Sequence, residues 1–165
     1  MITAFINLKG GSTKSSSAVH LCRYLLGKNQ TVALVDADSQ ATSSTWISNL
    51  EDGIPRPKIY RLTEPDPLLD EIPAIATSFN HVVVDGAGGL AEVQRTILLL
   101  ADLVFIPVQP SAPDISASHQ AIKAVSRARQ IRNGKPSAYT FLSRVVPKTL
   151  LLAEAREILS AYQDV

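Results

Sequence analysis

The sequence predicts an α/β fold, a doubly wound, mostly parallel sheet with helices on both faces. Three observations carry that expectation. Five short apolar runs alternate with helical patterns along 165 residues, which right-handed crossovers turn into a parallel sheet. Runs such as 31–35 (TVALV) and 82–84 (VVV) are continuous rather than alternating, as strands covered on both faces are. Two of them end on carboxylates, Asp36 and Asp85, at the strand ends where open α/β sheets form their ligand crevice.

The first run (Ala4, Phe5, Ile6, Leu8) stops at Gly10-Gly11, and Lys14 and three serines follow. A helical stripe then begins in Ala18, Leu21, Cys22, Leu25 and Leu26, with Gly27 as its stop. Strand, glycine turn, Lys-Ser and helix make the layout of a phosphate-binding loop. Glycines let backbone N–H groups close around phosphate oxygens, and the uncapped first turn of the helix aims its positive end at the same anion. Lys14 supplies a cation for the outer phosphates, and the hydroxyl of Ser15 a ligand for Mg²⁺. The strict G-x-x-x-x-G-K-[ST] pattern is not met, because Leu8 and Thr13 stand where it asks for glycine.

The strand at 31–35 runs into Asp36-Ala37-Asp38-Ser39-Gln40. A helix is expected from about 43 to 49, with Trp46 packed on the body of the domain. Residues 51–67 are rich in proline and charge and read as a surface excursion, with 59–62 as an edge strand. A helix over 68–77 contains Pro73, which weakens it. The strand at 82–84 ends at Asp85 and leads into Gly86-Ala87-Gly88-Gly89. An apolar strand ending in Asp is the arrangement that holds magnesium in phosphoryl-transfer sites.

Residues 90–101 are helical by pattern, and 103–107 form another buried strand. Ser111 or Asp114 caps the next helix, whose inner stripe is Ile115, Ile122, Val125 and Ala128. Lys123, Arg127, Arg129 and Arg132 are expected to face solvent, as a solvated basic face or as phosphate contacts to DNA. A strand at 139–143 and a helix at 149–162 complete the pattern.

Composition bounds the function classes. A hydrophobic fraction of 45% and a charged fraction of 19% are those of a globular protein. A net charge of +1 gives no strong field toward nucleic acid or membrane. The single cysteine, Cys22, excludes an internal disulfide and suits a reducing cytosol. His20, His81 and His119 have no metal-site spacing. The longest apolar run, 97–108, is interrupted by Asp102 and is too short to span a bilayer. Because the N-terminus passes directly into the first strand, no signal peptide is expected, and the chain reads as soluble and cytoplasmic.

Lys9-Gly10-Gly11-Ser12-Thr13-Lys14-Ser15 follows the deviant form K-G-G-x-G-K-[ST] except at Thr13. With Asp36-Ala37-Asp38-Ser39-Gln40 (proline is usual at 39), Val84-Asp85-Gly86-Ala87-Gly88 and Ile106-Pro107-Val108-Gln109-Pro110-Ser111, the chain resembles the ParA/MinD family of deviant Walker ATPases. The short plasmid-partition branch is nearest, and the likeness covers nearly all of residues 1–165, read as a single nucleotide-binding domain. The resemblance implies a P-loop NTPase fold, Mg²⁺-dependent binding of ATP and slow hydrolysis to ADP and phosphate. It implies that Gly10, Gly11, Ser12, Thr13, Lys14, Ser15 and Ser16 hold the phosphates, and that Ser143 and Arg144 lie beside the base. Ser15, Asp36 and Asp85 would serve Mg²⁺, Asp38 would position or activate water, and Lys9 would reach the nucleotide of a second subunit.

Family partners are a second copy joined by ATP, non-specific DNA of the nucleoid, and a ParB-like centromere-binding protein, with no membrane. Two departures stand out. Thr13 is β-branched where a positive φ suits glycine, and the chain ends before the further strand and terminal helix of relatives. Alternative readings are a nucleotide-gated scaffold with impaired hydrolysis and a ParA-like positioner of a non-DNA cargo. A MinD-like membrane regulator would need a basic amphipathic C-terminal helix, whereas 154–165 carries Glu154, Glu157 and Asp164.

Overall fold

A computed structural model describes residues 1–89 and 91–162. Its strands are β1 (Ile2–Phe5), β2 (Val32–Asp36), β3 (Lys58–Arg61), β4 (His81–Asp85), β5 (Leu103–Val108) and β6 (Ser137–Leu142). The helices are α1 (Lys14–Leu26), α2 (Thr42–Ser48), α3 (Pro65–Ser78), α4 (Ala91–Leu100), α5 (Ala112–Ile131) and α6 (Leu150–Ser160). All strand pairs are parallel, in the order β3-β2-β4-β1-β5-β6. The edge run at 59–62 is a true strand, which brings the sheet to six. Leu90, where the helical pattern of α4 was expected to begin, and Asp164 lie outside the described residues.

Side-chain alternation divides the sheet between two cores. Ala4, Ile6, Ala33, Val35, Val82, Val84, Val104 and Ile106 face one side, against Leu68 and Ile72 of α3, Val93 and Ile97 of α4, and Ile122 and Val125 of α5. Phe5, Leu34 and Val83 face the other, against Ala18, Val19 and Cys22 of α1 and Ile47 of α2. Cys22 is fully buried, and burial pushes its thiol up to about 12, so it is an inert core residue.

Local departures from the sequence reading have simple causes. α3 starts at Pro65, ahead of the expected 68, because proline fits the first helical turn where no N–H is needed. Pro73 is tolerated inside it because both Pro73 and Leu69, whose carbonyl loses its partner, lie on the exposed face while Leu68, Ile72 and Ile75 anchor the other. Helix α1 passes Gly27 in right-handed geometry, and the left-handed residue comes at Asn29. Ser111 caps α5 by accepting from Asp114 N–H. Trp46 is 41% exposed and packs edge-on against His20, with ring centroids 5.8 Å apart.

Sheet order places the site. Chain from β1 crosses to β2 on one side, whereas chain from β4 crosses to β5 on the other. The C-terminal ends of β1, β2 and β4 therefore surround the point where the winding reverses. Ile97→Ala is expected to cost about 2–5 kcal/mol in denaturant unfolding, since Ile97 is fully buried. Leu99→Ala, at a position 42% exposed two residues on, is expected to stay within about 0.5 kcal/mol.

Candidate functional site

Beyond β1 the chain makes an open loop fixed by two side-chain amides. Asn7, fully buried, donates to Pro107 C=O at 2.8 Å and accepts from Lys9 N–H at 3.0 Å. Gln109 donates to Gly11 C=O at 2.7 Å. Gly11 has φ +73° and Thr13 φ 74°, ψ 13°, so a β-branched residue does adopt the left-handed region here. That geometry costs of order 1–3 kcal/mol and leaves the Thr13 hydroxyl buried without a hydrogen-bond partner. Thr13 is also the N-cap of α1 and offers no side-chain cap, and no acidic residue occupies the first turn. The helix thus presents uncapped N–H groups and its positive end to the loop.

Lys14, only 5% exposed, donates to Lys9 C=O at 3.2 Å. Burial pulls its pKa down, against the upward pull of Asp85 and Asp38. Asp36 and Asp85 are register partners on β2 and β4, and both are fully buried. Asp36 is satisfied by backbone, accepting from Asp38 N–H at 3.2 Å and Ser44 N–H at 2.8 Å. Among the described residues neither oxygen of Asp85 completes a hydrogen bond of good geometry, although the Ser15 and Ser43 hydroxyls stand beside it. Burial is the main reason that Asp85 is pushed up to about 6, Asp36 adding to the rise and the Ser15 and Ser43 hydroxyls and Lys14 opposing it. Ser43 Oγ is itself buried and unpartnered. Asp38 links two loops, accepting from Gln40 N–H at 3.0 Å and from Gly88 N–H at 3.3 Å.

A cleft of about 310 Å³ opens over these elements. Its lining takes in Gly10, Gly11, Ser12, Thr13, Lys14, Ser15, Ser16, Asp38 and Arg144, nine positions that the sequence had singled out, together with Gln40 and Thr42. A buried carboxylate with both oxygens unpartnered, next to a serine hydroxyl and a lysine, is the donor set of a divalent cation beside phosphate. The residues present therefore fit Mg²⁺ with a nucleotide.

The model of the CobQ/CobB/MinD/ParA nucleotide-binding domain matches residues 3–159. The chain belongs to this family. Among curated relatives, protein virC1 of Rhizobium radiobacter is 31% identical over 119 residues, 69% of this chain and 51% of that protein. The maintenance of carboxysome distribution protein A of Halothiobacillus neapolitanus is 29% identical over 151 residues, 90% of this chain and 68% of that one. The chain thus spans about half to two thirds of the length of the curated relatives it matches. A putative plasmid partition protein of Borrelia burgdorferi, solved with AMPPNP, has a TM-score of 0.73 at 19% identity, covering 99% of this chain and 81% of its own. MinD of Pyrococcus horikoshii, solved with Mg-ADP, has a TM-score of 0.75 at 14% identity, covering 96% and 76%. At these identities the solved structures show the shared P-loop NTPase fold, and the family itself is one of nucleotide-binding domains.

Other expected site residues sit differently. Ser143 does not line the cleft; its hydroxyl is buried and unpartnered, and its N–H donates to Val108 C=O. The carboxylate of Asp36 is taken by backbone amides, so bracing the loop is the role its hydrogen bonds supply. Lys9 is held within its own chain, its Nζ 2.5 Å from Asp114 Oδ2 at the start of α5. Arg129 and Arg132 are not free to face solvent as expected. Arg129 donates to Pro136 C=O at 2.8 Å, and Arg132 to the carbonyls of Leu98 and Ala101 at 2.9 and 2.5 Å. Asn7, Ser43 and Gln109 were missed. Asn7 had a signal, a polar residue interrupting an apolar strand.

A pH prediction follows from Asp85. With its pKa raised from 3.8 to about 6, the folded chain holds more protons than the unfolded one between those values, so stability falls as pH rises through the window. The full penalty, about 2–3 kcal/mol, is present above pH 6. Asp85→Asn is expected to raise the melting temperature of the ligand-free protein at pH 8 and to change it little near pH 4. Equal effects at both pH values in thermal denaturation would contradict a buried, destabilising carboxylate.

Proposed function

We propose that this domain binds Mg-ATP in the cleft between the loop after β1 and the ends of β2 and β4, and hydrolyses it slowly as a partition or positioning ATPase. The observation that carries this reading is an uncapped α1 N-terminus and Lys14 lining one cleft, with the buried carboxylate of Asp85 behind them, beside Ser15 and Lys14. Loop amides from Gly10 to Ser16 and the ammonium of Lys14 hold the phosphates. Ser15 and Asp85, with Asp36 bracing behind, would hold Mg²⁺, which would supply charge to the phosphate oxygens. Asp38 orients water, and its bond to Gly88 ties that role to the glycine loop after β4. Arg144, at the rim, lies toward the base; Ser143 supports that segment from beneath.

Two copies joined through ATP complete the site in this reading, with Lys9 of each reaching the other's nucleotide. Its present hold on Asp114 joins a partly exposed ammonium to a buried carboxylate that the Ser111 hydroxyl also meets, and in this reading the ammonium leaves that carboxylate for the phosphate. The dimer then contacts DNA non-specifically and takes a centromere-binding partner that sets the cargo. Sedimentation with Mg-ATP is expected to show a dimer, and Lys9→Ala to lower turnover while keeping nucleotide binding. Full nucleotide-stimulated turnover in Lys9→Ala would remove the trans role.

Thr13 favours a second reading, a nucleotide-gated scaffold without useful hydrolysis. The loop already holds Thr13 in the left-handed geometry, so calorimetric titration with Mg-ATP is expected to give binding in the parent and no more than about a tenfold gain in Thr13→Gly, the equivalent of ~1.4 kcal/mol of relieved strain. Asp85→Asn is expected to lose the Mg²⁺-dependent part of that affinity. No binding in the parent with recovery in Thr13→Gly would give the scaffold reading instead.

A further inference from the structure

On the face away from α1, helices α4 and α5 leave a groove between them. Two adjoining cavities of about 250 Å³ each share Arg95, Ala124 and Arg127. The floor is apolar, made by Leu98, Leu99, Ala124, Ala128 and Ile131, and no acidic residue lines either cavity. Leu99 and Ile131 are 42% and 73% exposed. Near the C-terminal end of α4, Arg132 bonds the carbonyls of Leu98 and Ala101. Leu8 and Gln94 line the second cavity, and the buried Gln94 amide donates to Ala87 C=O at 2.8 Å in the loop after Asp85.

The cations divide into two sets. Arg129 and Arg132 are consumed by backbone carbonyls. Arg95, Lys123 and Arg127 are exposed and, among the described residues, form no ion pair and donate no hydrogen bond. Lys123 and Arg127 stand one turn apart on α5, and Arg95 faces them from α4. We infer that this groove docks an acidic amphipathic helix of a partner protein. Its apolar face covers Leu99, Ala124 and Ile131, and its carboxylates meet Arg95, Lys123 and Arg127. DNA answers the charges alone. Phosphates have no use for an apolar floor, and burying Leu99 and Ile131 is where the free energy of such a contact lies. The docking surface is separate from the nucleotide cleft and does not require nucleotide to be bound.

The test uses the full chain and a fluorescein-labelled synthetic helix with leucines at i, i+3 and i+4 spacing and glutamates flanking them. Controls are a scrambled peptide of the same composition and a random-sequence DNA duplex. Anisotropy is expected to show saturable, salt-sensitive binding of the amphipathic peptide and at least about tenfold weaker binding of the scrambled one. Arg95→Glu with Arg127→Glu, and separately Leu99→Ser with Ile131→Ser, are each expected to weaken binding about tenfold or more. All four positions are exposed, and unchanged thermal melts of the variants show that the fold is kept. Equal binding of the scrambled peptide, or indifference to the Leu99 and Ile131 changes, would overturn the inference. So would duplex binding that the charge reversals abolish and the serine changes spare, which would assign the cations to DNA. Self-association of the chain that either pair of changes abolishes would also overturn it, in favour of a second copy as the occupant.

Discussion

Two carboxylates set side by side on neighbouring buried strands are the constraint on which the rest of the structure depends. Asp36 and Asp85 pair in register, fully shielded from water, and like charges so placed repel in a medium that screens them poorly. The protein solves each differently. Asp36 is neutralised locally by two backbone N–H groups, which also fixes the turn into α2. Asp85 has no such donors and stays raised toward neutral pH, held between Lys14 and two serine hydroxyls. Stability is given up at the strand end that the proposed function assigns to a cation beside phosphate, an arrangement common at functional sites.

Around that pair, the loops are braced against one another rather than left loose. Asn7 and Gln109 tie the first loop to the end of β5, and Asp38 ties the second to the glycines after β4. Gly86 is needed in that third loop, because a Cβ there would lie 2.6 Å from Phe5 C=O. Gln94 carries the same loop to α4, so a hydrogen bond joins the loop beside the site to the α4–α5 groove. A change in the loop's shape would be felt at one end of the groove. Coupling of this kind needs a two-state element, and the glycines from 86 to 89 give the loop the backbone freedom to be one.

Much of this was legible in advance because it rests on local pattern. Continuous apolar runs mark strands covered on both faces, and glycine, lysine and serine at close spacing mark the phosphate loop. What misled was any residue whose fate depends on a distant neighbour. Arg129 and Arg132 sit at helical positions open to solvent by periodicity, yet both find backbone carbonyls to cap, on β6's approach and at the end of α4. Ser143 lies next in chain to Arg144, but its hydroxyl is buried just past the end of β6 while Arg144 lines the cleft. Trp46 sits with Thr45 on the exposed face of its helix, while Ser43, Ser44 and Ile47 turn inward.

By itself the sequence determined the α/β class, the glycine loop between β1 and α1, the strand-end carboxylates and the departure at Thr13. Each depends on residue type and spacing within a few positions. The tertiary structure decided strand order, and with it that Asp36 and Asp85 stand together while Lys9 finds Asp114 105 residues away. It also decided which basic residues are consumed by backbone carbonyls and which are left exposed. Those outcomes come from contacts between segments far apart in the chain, where no local period or propensity records who the neighbour will be.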